Sequence, residues 1–111
     1  MAYDENTASR IRRFLGERAD VTEMKMMSGL IFMIGGHMCC AAHGDELIVR
    51  VGPEARDSTL EEPHVKPPEI GGGRQPDAFI CVESEGHDSD EALAAWINRG
   101  LDLIATLPPK G

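Results

Sequence analysis

Three cysteines and four histidines are the side chains of this 111-residue chain best suited to chemistry. Cys39 and Cys40 are adjacent, Cys81 stands apart, and His37 and His43 bracket the pair. Imidazole and thiolate are zinc ligands, and His37, Cys39 and His43 share one parity, so a regular strand points them to one side. Distance works against them. In extended chain His37 and His43 lie about 20 Å apart, too far for a single ion. No metal site is expected. A nucleophilic Cys39 or Cys81 would need its thiolate, but both sit in apolar runs, where burial raises a thiol pKa. Core packing is the reading these residues favour. Ser28 has no local signature of a catalytic serine. No catalytic residue and no cofactor site is expected.

The charged residues offer more. Gly71-Gly72-Gly73-Arg74 lacks the Lys and Ser/Thr that follow the glycines of a phosphate loop, so a plain connection is expected. Lys25, Arg50, Lys66 and Arg74 are four of eleven basic residues, and three lie in or beside predicted strands. Brought together by a sheet, they would make a local positive spot able to hold a carboxylate or phosphate. The competing expectation is ion pairing with Glu23, Glu46 or Glu69. Glu83, Glu85, Asp88, Asp90 and Glu91 form an acidic run that suits a helix start. Gly86 falls too early in it for a calcium loop.

Composition bounds the partners. Nineteen acids against eleven bases give a formal charge of -8. Phosphate backbones are bound through Lys and Arg, so direct DNA binding is not expected. A protein partner fits an acidic surface better. An odd cysteine count with an adjacent pair is not a disulfide framework, which favours a reducing compartment. The apolar runs are too short to span a bilayer, and the opening Met-Ala-Tyr-Asp-Glu is no signal peptide. A cytoplasmic protein without membrane contact is expected.

The elements that must position these residues read as follows. Residues 5–18 predict a helix capped by Asp4, with Ala8, Ile11, Phe14 and Leu15 inward and Arg10, Arg12, Arg13 and Glu17 outward. Met24 to Ile34 predicts a strand apolar on both sides: Met27, Ile31 and Met33 on one, Met26, Leu30, Phe32 and Ile34 on the other. Turns at Gly35-Gly36-His37 and His43-Gly44-Asp45 predict two hairpins that add strands at Met38–Ala42 and Glu46–Val51. Gly52-Pro53-Glu54 opens a short helix that ends before Pro63. Val65–Ile70, with Pro67 and Pro68, predicts an edge strand. Ala78–Glu83 is again apolar on both faces. The last helix starts near Asp88, paired with Glu91 as a capping box, and buries Leu93, Trp96, Ile97, Leu101 and Ile104. The order α-β-β-β-α-β-β-α makes a single α+β domain over residues 1–111: two layers, with a mainly antiparallel five-stranded sheet. If the helices share one side, strands apolar on both faces leave the other side to a partner, and a two-fold homodimer is the commonest arrangement.

Several of these residues together carry a family resemblance. Asp20-Val21-Thr22-Glu23, Gly29-Leu30-Ile31-Phe32-Met33, His37-Met38-Cys39-Cys40 and Arg50-Val51-Gly52-Pro53 resemble the N-terminal domain of the TfoX (Sxy) competence regulators. Pro63-His64-Val65-Lys66-Pro67, Phe79, Val82, Trp96 and Leu107-Pro108-Pro109-Lys110 continue the likeness over nearly the whole chain. Met27-Ser28 stands where that family usually has Phe-Gly, and Gln75-Pro76 where it has Pro-Met. The resemblance implies a small two-layer α/β domain. In the best-known members it precedes a second domain, and the whole protein acts with the cyclic-AMP receptor protein on DNA-uptake genes. The chain ends at Gly111, so a stand-alone single-domain member is expected. The function expected is a non-enzymatic regulatory module that contacts a protein partner, such as transcriptional machinery. The alternative is a small enzyme or anion-binding protein using the basic spot at Lys25, Arg50, Lys66 and Arg74.

Overall fold

Helix α1 (Glu5–Leu15) begins where Asp4 accepts hydrogen bonds from the Thr7 N–H (3.2 Å) and hydroxyl (2.9 Å). The computed structural model describes residues 4–16, 18–26, 29–67 and 78–107. After α1 come β1 (Val21–Met26), β2 (Gly29–Ile34), β3 (His37–His43) and β4 (Glu46–Arg50). Helix α2 (Pro53–Thr59), β5 (Val65–Lys66), β6 (Phe79–Val82) and α3 (Asp90–Ile104) complete the order. The fold is α+β, with an open antiparallel sheet ordered β1-β2-β3-β4-β6-β5.

The sheet has six strands rather than five, because the apolar run Met24–Ile34 is broken into two. Val21 pairs with Ile34 and Met26 with Gly29, so β1 and β2 are antiparallel neighbours in place of one long strand. Both sides of that run are apolar, which hides the break from any pattern of alternation. The two predicted hairpins are present, and Gly35 and Gly36 take φ of 58° and 86° in the β2–β3 turn. There a side chain would crowd its own carbonyl. β5 is at the edge, as Pro67 requires; residues 68–70 of that predicted strand lie outside the described residues, as does Gly71–Arg74.

Directly opposed residues in an antiparallel ladder share a face. One face carries Leu30, Phe32, Ile34, Cys40, Ala42, Leu47, Val49, Ile80 and Val82, packed against Ala8, Ile11 and Leu15 of α1 and Leu93, Trp96 and Ile97 of α3. Helices α1 and α3 therefore share one side of the sheet. Gly100 lets α3 approach β3 closely: a Cβ there would lie 3.0 Å from Cys39 Sγ and 3.1 Å from the Cys39 carbonyl.

Four further expectations are corrected. Helix α1 ends at Leu15, not residue 18, with Gly16 donating to Arg12 O (2.9 Å). Phe14 is not on its inner stripe but 36% exposed, because Thr7, Ala8, Ile11 and Leu15 take the buried positions. Arg10 does not face water; only 12% of its side chain is exposed. The N-cap of α3 is Ser89, whose hydroxyl accepts from Ala92 N (3.1 Å), not Asp88.

Candidate interaction surface

The second sheet face is built by the other parity of each strand. Ala41, Ile48 and Cys81 are 3–4% exposed and packed with Ile31, Met38 and Phe79 in an apolar cluster of their own. No residue of a described helix belongs to it. Met24, opposite Ile31 on β1, extends this face outward and is 43% exposed. The apolar cluster spans four strands, β2, β3, β4 and β6, and this open face differs from the helix-covered side in having no second layer among the described residues.

Its polar groups lie at the end and the margin. Arg50 stands opposite Phe79, its guanidinium carbon 5.8 Å from the ring centroid. The Arg50 Nε is buried and has no hydrogen-bond partner among the described residues. Lys66 stands opposite Cys81, and its Nζ lies 2.6 Å from Glu46 Oε2 and 4.0 Å from Glu83. The Cys81 thiol donates to Glu46 Oε1 at 3.4 Å. Burial first, then the Glu46 carboxylate, pushes that thiol up to about 12. The hydrogen bond to Glu46 holds the Lys66 ammonium above its ordinary range. Cys81 is thus a neutral core thiol, and the Lys66 charge is already matched.

The structure brings Arg50 and Lys66 to one face, about 12 Å apart across β6. It does not bring Lys25 to them. Lys25 lies on β1 opposite Leu30, on the helix side of the far edge strand. Arg74 is outside the described residues. Of the three that are described, Arg50 alone combines a place on the open face with a donor that has no partner among the described residues.

The cysteine pair sits at a bulge. The register shifts between Phe32 and Met33, so Cys39 and Cys40 both enter the helix-side core, each 0% exposed. The same bulge breaks the predicted parity: His37 pairs with Ile34 on the helix side, while His43, opposite Glu46, falls on the open face. The thiol–thiol hydrogen bond lowers the Cys39 pKa and raises that of Cys40. No group of three His, Cys, Asp or Glu among the described residues has metal-site geometry.

Sequence reasoning missed His87. It is 2% exposed, its Nε2 donates to the Asp45 carbonyl (2.9 Å), and its Nδ1 faces Arg10 Nη1 at 3.4 Å. Arg10 Nη2 donates to the carbonyls of His87 (2.6 Å) and Ser89 (3.1 Å). The group ties α1, the β3–β4 turn and the start of α3 together. Within Glu85-Gly86-His87-Asp88 no periodicity marks it. A depression of about 220 Å³ between the β2–β3 turn and the end of α3 is lined by Ile34, His37, Leu101 and Ile104. Its Arg18 is closed by a fork to Asp20 (3.1 Å twice), which leaves it without a reactive pair.

The family model for the TfoX N-terminal domain matches residues 13–104, from late α1 through α3. The chain belongs to the TfoX N-terminal domain family. No curated protein and no solved structure matches it significantly. The matched segment of this TfoX N-terminal domain holds every strand of the sheet and so the whole open face. No described helix is long and apolar enough to cross a membrane.

Proposed function

We propose that this TfoX N-terminal domain is a non-enzymatic regulatory module that works in the cytoplasm by protein contact through the open sheet face. It acts on transcription through a protein partner and self-associates as a two-fold dimer. The observation that carries the reading is the apolar cluster of Ile31, Met38, Ala41, Ile48, Phe79 and Cys81, which no helix among the described residues covers. Soluble proteins rarely keep contiguous apolar surface without using it. Charge supports a protein rather than DNA: the sum is -8, and Arg10, Arg12, Arg18, Lys66 and Arg99 are each paired with an acid.

The test is capture from extract of the source cell by the wild-type chain, by Met38→Glu on the open face, and by Ala95→Glu on the exposed side of α3. A protein held by wild type and Ala95→Glu but lost with Met38→Glu supports the reading, provided both variants keep the wild-type unfolding midpoint. Equal capture by all three overturns it.

A second reading, an anionic-ligand site at Arg50, is favoured by its partnerless Nε. Buried donors without partners are costly, and a carboxylate or phosphate would satisfy this one. Phosphate or acetate raising the unfolding midpoint of wild type but not of Arg50→Met would favour it.

A further inference from the structure

The sheet has two unlike edges. β5 is two residues long and followed by Pro67, which blunts it. β1 is six residues long, continuous in register with β2, and free of proline. Thr22, Glu23, Met24 and Lys25 are all exposed, and no described strand pairs with the outer edge. An unprotected edge is a template for another strand.

We infer that the outer edge of β1 pairs antiparallel with β1 of a second copy, about a two-fold axis through Met24. The inference deepens the dimer part of the proposed function by naming the surface and the register. With the axis normal to the sheet, opposed residues share a face, so only registers centred on a residue are allowed. Centring on Glu23 sets Glu23 against its own copy, and centring on Lys25 sets Lys25 against its own; like charges directly opposed destabilise a ladder. Centring on Thr22 sets Glu23 against Val21 and leaves Lys25 beyond the paired strand. Centring on Met24 sets Glu23 of each copy against Lys25 of the other, twice, and Met24 against Met24.

Side-chain surroundings agree with that choice. Lys25 has no ion-pair partner among the described residues. Glu23 holds a two-bond fork to Arg12 (2.8 and 2.9 Å), yet is 37% exposed and has room for a second cation. Met24 is the most exposed of the large apolar side chains described. The chain as a whole repels its copy, but Glu23 and Lys25 make the seam locally neutral. On the open side, Met24 and Ile31 of both copies would join, so two six-stranded sheets become one and the apolar face doubles.

Sedimentation velocity on wild type, Met24→Cys and Lys25→Glu tests it, with mild oxidation of Met24→Cys read by non-reducing electrophoresis. The native thiols are buried and serve as an internal control. Directly opposed Cα atoms lie within disulfide range, whereas a two-residue slip takes them out of it. Expected are a concentration-dependent dimer, a covalent dimer from Met24→Cys but not from Phe14→Cys on α1, and about tenfold weaker association of Lys25→Glu with its fold intact. A dimer that neither cross-links at position 24 nor weakens with Lys25→Glu overturns the edge and leaves dimerisation through the open face. A wild-type monomer throughout the micromolar range overturns edge and dimer together, while the partner-capture result stands or falls separately.

Discussion

Trp96 carries more of the fold than its position on a stripe conveys. It is 8% exposed, its Nε1 donates to Gly86 O (3.0 Å), and Arg99 lies over its ring at 4.3 Å. Trp96→Ala should cost about 3–5 kcal/mol in urea unfolding, because a large cavity and an unpaired carbonyl appear together. Gly100→Ala sets two effects against each other. Alanine gains up to about 1 kcal/mol of helix propensity, but its Cβ would press on the Cys39 carbonyl, which cannot swing aside. Overpacking costs about 1–3 kcal/mol, so the variant should be less stable, and a rise in unfolding midpoint would show that β3 yields. Trp96 was legible because Leu93, Trp96, Ile97 and Leu101 recur at helical spacing. His87 was not, since its partners Asp45 and Arg10 come from distant segments and the helix side hides it only after folding.

At the scale of elements, what could be read were the punctuated ones. Glycine pairs and prolines fixed the two hairpins, the α2 start and the β5 edge before any packing was considered. What could not be read were features without a pattern: the division of an apolar run between β1 and β2, and the bulge that places Cys39 and Cys40 on one face. Nor could the sequence say which basic residues meet, since that depends on strand order and register: these set Arg50 and Lys66 on one face and send Lys25 to the opposite edge and opposite side. The cap of α3 was missed by one residue, since Asp88 and Ser89 are both good caps, and the geometry selects Ser89. Ser89→Ala should therefore destabilise by about 1 kcal/mol and Asp88→Ala by a few tenths, read as the difference in unfolding free energy. The reverse order would return the cap to Asp88.

The described residues make a sheet with one layer of helices, and burial and hydrogen bonding shift the thiols of its two faces differently. The helix-side thiols oppose one another, since their mutual hydrogen bond lowers Cys39 and raises Cys40. On the open face, Cys81 and Lys66 both shift upward around Glu46. Cys81 rises from its ordinary 9.0 to about 12, so between those values the folded chain keeps a proton that the unfolded chain has lost. Stability from this group is complete below pH 9 and falls as pH climbs toward 12, at up to about 1.4 kcal/mol per pH unit. Lys66, held above its ordinary 10.5 by Glu46, adds a loss of the same sign that begins within this window. Cys81→Ala removes the first contribution and leaves the lysine and the buried cysteine pair in place. The stability of wild type should therefore decline more steeply above pH 9 than that of Cys81→Ala, measured by urea unfolding at successive pH values. Parallel curves would mean that Cys81 titrates as an ordinary thiol, and hence that water reaches the centre of the open face. A steeper wild-type curve would mean that the apolar cluster around Ile48 and Phe79 keeps water out without a helix above it, as a surface suited to protein contact must.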